Sequence, residues 1–180
     1  MNKKFMSCFV AILFFMVSCN NHKSKVEEIT KLEKEIVSTR MTKLDIAKAS
    51  HLIIIYNEFV KEFPKDSLSP IFLYRAADLN MALNRGNQSI TCLDKIINNY
   101  PNFNKAPDCM FLKAYIAENV MHNLPLADQF YREFLKEYPT HSLAKDAEAS
   151  LKNLGKTPDQ LVAEFEAKQD SIEKEKEKEK

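Results

Sequence analysis

Only two glycines, Gly86 and Gly155, and no tryptophan occur in 180 residues. Two isolated glycines exclude glycine-rich phosphate loops and the nucleophile elbow, because those turns need several Cβ-free residues at close spacing. The same shortage argues against a β-rich or dinucleotide-binding fold. An excess of one charge is missing too. Lys and Arg number 26 against 25 Asp and Glu, and setting aside residues 1–18 removes Lys3 and Lys4 but no acid, leaving 24 against 25. Such balance gives no electrostatic footprint for nucleic acid. Beyond the N-terminus no apolar run approaches the ~20 residues that a membrane-spanning helix needs. His51, His122 and His141 show no paired-ligand spacing, so no metal is expected. The many carboxylates stand in Glu/Lys patterns that read as solvated helix faces. No catalytic constellation emerges, and neither enzymatic activity nor a cofactor is expected.

What is present begins with an address. Met1–Lys4 carries two positive charges, Phe5–Val17 is largely apolar, and Ser18 precedes Cys19. Residues 1–18 read as a secretory signal, too short to span a bilayer. Met16-Val17-Ser18-Cys19 resembles a bacterial lipobox, which implies lipidation of Cys19. The alternative is an ordinary signal cleaved elsewhere, with Cys19 incidental. Residues 19–25 then form the lipidated cysteine and a polar tether. By resemblance to known lipoproteins, the lack of aspartate just after Cys19 implies a bacterial outer-membrane anchor facing the periplasm.

The body of the chain repeats itself. Ile53–Pro64, Gln88–Pro101 and Leu126–Pro139 each end in an aromatic residue and a proline, with an apolar pair upstream: Phe59/Val60, Ile96/Ile97, Phe134/Leu135. The prolines lie 37 and 38 residues apart. A fixed period in the range of about 20–50 residues marks an array of helical units. Between the closing prolines, Pro70 and Pro107 each follow six residues after one of them and open a second helix rich in alanine (Ala76, Ala77, Ala114, Ala117). Ser69 is expected to cap the helix that Pro70 opens, and Arg85-Gly86 to end it by a left-handed glycine. Thr42 is expected to cap the helix running to Phe63. Residues 26–41 read as an amphipathic helix, with the choice between a solvated stalk and a self-associating or partner-binding face left open. Residues 42–155 hold the repeats. Residues 156–167 form a capping helix that starts at the capping-box sequence Thr157-Pro158-Asp159-Gln160. Residues 168–180 are a charged low-complexity tail, frayed or disordered.

This grammar resembles the tetratricopeptide repeat over about Asp45–Gly155, and most of all the divergent repeats of envelope lipoproteins of the BamD and CpoB kind. The resemblance implies an all-α fold of αα-hairpins forming a short right-handed superhelix. Units of 37–38 residues instead of 34, and the absence of tryptophan, depart from the family pattern. In the family the first helix of each pair lines a groove for a peptide or protein. Carried over by position, that face includes Tyr74, Asp78 and Met81, then Phe111, Tyr115 and Glu118. Phe111 and Met81 are expected to pack, whereas Tyr74, Asp78, Tyr115 and Glu118 combine polar tips with apolar bodies and are expected to contact a partner. The resulting expectation is a lipid-anchored periplasmic adaptor that binds an envelope protein or peptide segment and no nucleic acid, possible roles being outer-membrane assembly or envelope maintenance. The alternatives are an accessory subunit of a cell-wall-active enzyme and a self-assembling structural lipoprotein. Helix rise argues against a Cys92–Cys109 bridge, since the axial offset is roughly 9 Å against a limit of about 7 Å.

Overall fold

The computed structural model describes residues 21–37 and 45–178, and all regular structure among them is helical. The signal segment 1–18, Cys19 and Thr42 lie outside the described residues. Helix α1 spans residues 21–37. It is followed by α2 (Ile46–Glu62), α3 (Leu68–Ala82), α4 (Gly86–Asn99), α5 (Ala106–Asn119), α6 (Leu124–Glu137), α7 (Ala144–Asn153) and α8 (Pro158–Lys178). No described helix is long and apolar enough to cross a membrane. The chain divides into two compact units, Met1–Cys109 and Met110–Lys180.

The triplicated sequence folds as a triplicated turn. Phe63, Tyr100 and Tyr138 close α2, α4 and α6 with nearly one geometry: φ −123, −133 and −131°, ψ 57, 54 and 58°. Each donates its N–H to the residue four back, Phe59, Ile96 or Phe134. The following turn also recurs: Asp66, Phe103 and His141 donate to the closing aromatic carbonyls, and Ser69, Ala106 and Ala144 donate three residues back in turn. A proline directly after the aromatic residue disfavours the helical conformation of its predecessor, which explains the shared stop.

The starts differ from the sequence expectation in instructive ways. Asp45, rather than Thr42, caps α2, its carboxylate accepting from the Lys48 N–H at 3.1 Å. Helix α3 begins two residues before Pro70, and Ser69 does not cap it. The Ser69 hydroxyl instead donates to the Phe63 carbonyl at 2.6 Å, tying the new helix to the old stop. Gly86 is the first residue of α4, and the left-handed residue after α3 is Asn84 (φ 58°), matched by His122 (φ 51°) after α5. Asparagine tolerates that conformation better than most residues, so no glycine is required. Thr157 and Gln160 do form the expected reciprocal box, at 2.9 and 3.3 Å.

In the first unit, α3 packs on both α2 and α4. Ala76 and Ala77 are fully buried and allow close approach, while Leu52, Phe59, Phe72, Leu73, Leu93 and Ile96 fill the interior. Phe72 meets the Tyr56 ring stacked at 5.2 Å and the Phe59 ring edge-on at 4.8 Å. Helix α1 belongs to this core. Ile29 and Ile36, one heptad apart, are 1% and 5% exposed. Lys25 reaches Glu62 at 2.7 Å, and the His22 ring lies 5.0 Å from Phe63. Asn21–Lys25, expected as a tether, are already helical.

The second unit centres on Ala114, Ala117, Ala127, Tyr131, Phe134 and Ala147, with Phe111, Leu126 and Leu151 packed around them. Helix α7 ends at Asn153, and Gly155 two residues on has a φ of 78° that suits a residue without Cβ. The expected cap does not close over this core: in α8, Leu161, Val162 and Phe165 are 38, 55 and 63% exposed. The charged tail remains helical to Lys178. Cys92 and Cys109 are buried and free.

Candidate functional site

Tyr74 and Asp78 lie one turn apart on α3, both half-buried. The Lys105 ammonium stands 4.6 Å from the centre of the Tyr74 ring, within cation–π range. Burial, and then the negative charge of Asp78, push the Tyr74 hydroxyl up to about 12, so it stays a neutral donor at physiological pH. Asp78 also borders a hollow of about 620 Å³ enclosed by α1, α2 and α3. Val37, Leu52, Leu79 and Met81 supply its apolar wall, and Glu33, Arg75 and Asp78 its charged rim. Glu33 accepts from both the Tyr56 hydroxyl and Arg75, which holds the end of α1 against α2 and α3.

In the second unit, Tyr115 is 43% exposed, the most accessible of the four expected contact residues. Glu118, three residues on, accepts from the Tyr131 hydroxyl at 2.7 Å. Its carboxylate therefore buttresses a buried tyrosine, and this half-buried acid is less available than Tyr115. Burial above all raises the Tyr131 hydroxyl far beyond the ordinary tyrosine range. Phe111 packs edge-on against Tyr131 and Phe134, both at 5.7 Å, in the packing role expected of it. Met81, also expected to pack, is half-buried on the wall of the hollow. The structure thus pairs Tyr74 with Asp78 in one unit and Tyr115 with Glu118 in the other.

Sequence reasoning missed Glu33 and Arg75, which frame the hollow. They lie 42 residues apart, and only the docking of α1 brings them together. The Ile29/Ile36 spacing hinted at a buried face on α1, but gave no partner for it.

Residues 72–102 match the family model of the tetratricopeptide repeat. The match begins at Phe72 in α3 and runs through α4 past the closing Pro101. No curated protein matches the chain.

Proposed function

We propose that the chain is a lipid-anchored periplasmic adaptor that meets a partner protein separately through each unit, by Tyr74 and Asp78 of α3 in the first and by Tyr115 of α5 in the second. The coarser part of this reading is direct: a tetratricopeptide repeat is a protein-interaction scaffold, and 72–102 matches one. Tyr115 carries the reading further. A tyrosine left 43% exposed on a helix whose other large residues pack inward offers ring area and a hydrogen-bonding tip at low entropic cost. Tyr74 and Asp78 offer the same combination on α3. Such surfaces bind extended or helical segments without chemistry, so the proposal includes no catalytic role.

The anchor rests on the Met16–Cys19 segment, and outer-membrane assembly or envelope maintenance is the setting that the resemblance to envelope lipoproteins favours. The self-association reading has lost its support, because Ile29 and Ile36 are covered within their own unit. An accessory subunit of a cell-wall enzyme would use the same docking surface and remains the alternative setting. A photo-reactive residue placed at Tyr115 or Tyr74 in intact cells should yield a discrete protein adduct, while one at the exposed Lys61 should not. Equal adducts at all three positions would contradict the proposed surface. Intact mass of the mature chain should show an acylated Cys19, and an unmodified cysteine there would refute the anchor.

A further inference from the structure

A second groove lies between α2 and α4 in the first unit, about 400 Å³ in volume, with Ser50 and Asn57 on one wall and Thr91 and Lys95 on the other. None of the ten residues that line it is Asp or Glu. Its two cations have neutral partners: Arg85 donates to the Ser50 hydroxyl at 3.0 Å, and Lys95 to the Asn57 side-chain carbonyl at 3.4 Å. Elsewhere in the same unit Lys25, Lys48 and Arg75 all face carboxylates, Glu62, Glu35 and Glu33. Arg85 and Lys95 thus face the groove with no carboxylate among its lining residues. Between them Ile54, 55% exposed, adds an apolar strip.

We propose that this groove binds an acidic segment of a partner protein through two carboxylate side chains, one at Arg85 and one at Lys95. A carboxylate arriving there would replace hydrogen bonds to neutral oxygens by ion pairs, in which donor and acceptor are both charged and the bonds are shorter and stronger. Spacing sets the register. Ser50 and Asn57 are seven residues apart on α2, so the two cations are held roughly 10 Å apart along the groove. In a polyproline-II segment, residues i and i+3 share a face at about 9 Å, and an apolar residue between them would meet Ile54. This surface belongs to α2 and α4, and the inference does not rest on the docking role given to α3 and α5.

The test is fluorescence anisotropy on the full chain with a labelled octapeptide, Glu-Pro-Leu-Glu-Pro-Leu-Glu-Pro, and its all-glutamine counterpart. Saturable binding of the glutamate peptide alone is expected, weakened about ten-fold by Lys95→Gln and by Arg85→Gln, in keeping with the loss of one charge-assisted bond. Lys61→Gln and Asp78→Ala should leave it unchanged, which separates this groove from the first surface. Lys95 is exposed, so its substitution reads out binding even where Arg85→Gln lowers the helix signal. Binding indifferent to both substitutions, equal binding of the glutamine peptide, or displacement by inorganic phosphate at matched charge would overturn the proposal.

Discussion

Burial decides the behaviour of individual titratable side chains. Tyr74 and Cys109 are each pushed up to about 12, and Tyr56 and Tyr131 are raised as well, in every case chiefly because the charged form would be poorly solvated. The folded chain therefore keeps protons that the unfolded chain releases near the ordinary values of 10 for tyrosine and 9 for cysteine. Stability from these groups is fully present below those values and is lost as pH rises toward and through about 12. In a spectrophotometric titration, Tyr56, Tyr74 and Tyr131 should ionise late and in step with loss of helix. Ionisation of all six tyrosines near pH 10 with the helix signal intact would refute this. Much of the residue scale is legible in the sequence: Ala76, Ala77, Ala114 and Ala117, the alanines that mark the second helix of each repeat, are all fully buried. The capping atoms were less so. Ser69 and Pro70 satisfied the local rule for a helix start, yet the helix begins at Leu68, so Ser69 falls inside it and its hydroxyl donates to the Phe63 carbonyl instead.

Helices that repeat were legible, and helices that do not were misjudged. The aromatic-Pro stop is a local steric instruction, so α2, α4 and α6 end where the sequence says. Helix α1 has no such partner in sequence; its apolar spacing left a stalk and a binding face equally open. Structure resolves it through distant groups, with Glu33 held by Tyr56 and Arg75, and Lys25 by Glu62. Helix α8 errs the other way. Leu161, Val162 and Phe165 suggested a cap because apolar residues one turn apart usually seek a core, but α8 leaves all three exposed. Integration of α1 predicts that Ile29→Asp, which places an unpaired charge at a site only 1% exposed, destabilises the first unit by more than about 3 kcal/mol. Chemical denaturation would measure this. A change within about 0.5 kcal/mol, typical of surface substitutions, would show α1 to be undocked.

At the scale of the whole molecule, no hairpin is self-sufficient. Helix α3 is apolar on two sides, with Phe72 turned to Tyr56 and Phe59 of α2, while Ser89 of α4 donates to the Ala77 carbonyl at 2.8 Å. Removing α2 would uncover Phe72, whose ring packs on Tyr56 and Phe59. Repeat chains owe their stability to such nearest-neighbour interfaces. Far-UV circular dichroism of the excised hairpin 65–104, compared with the full chain, tests this most directly. The account predicts a weakly helical peptide that melts without a cooperative transition beside a strongly helical full chain. A hairpin that is as helical per residue as the full chain and unfolds cooperatively by itself would contradict it.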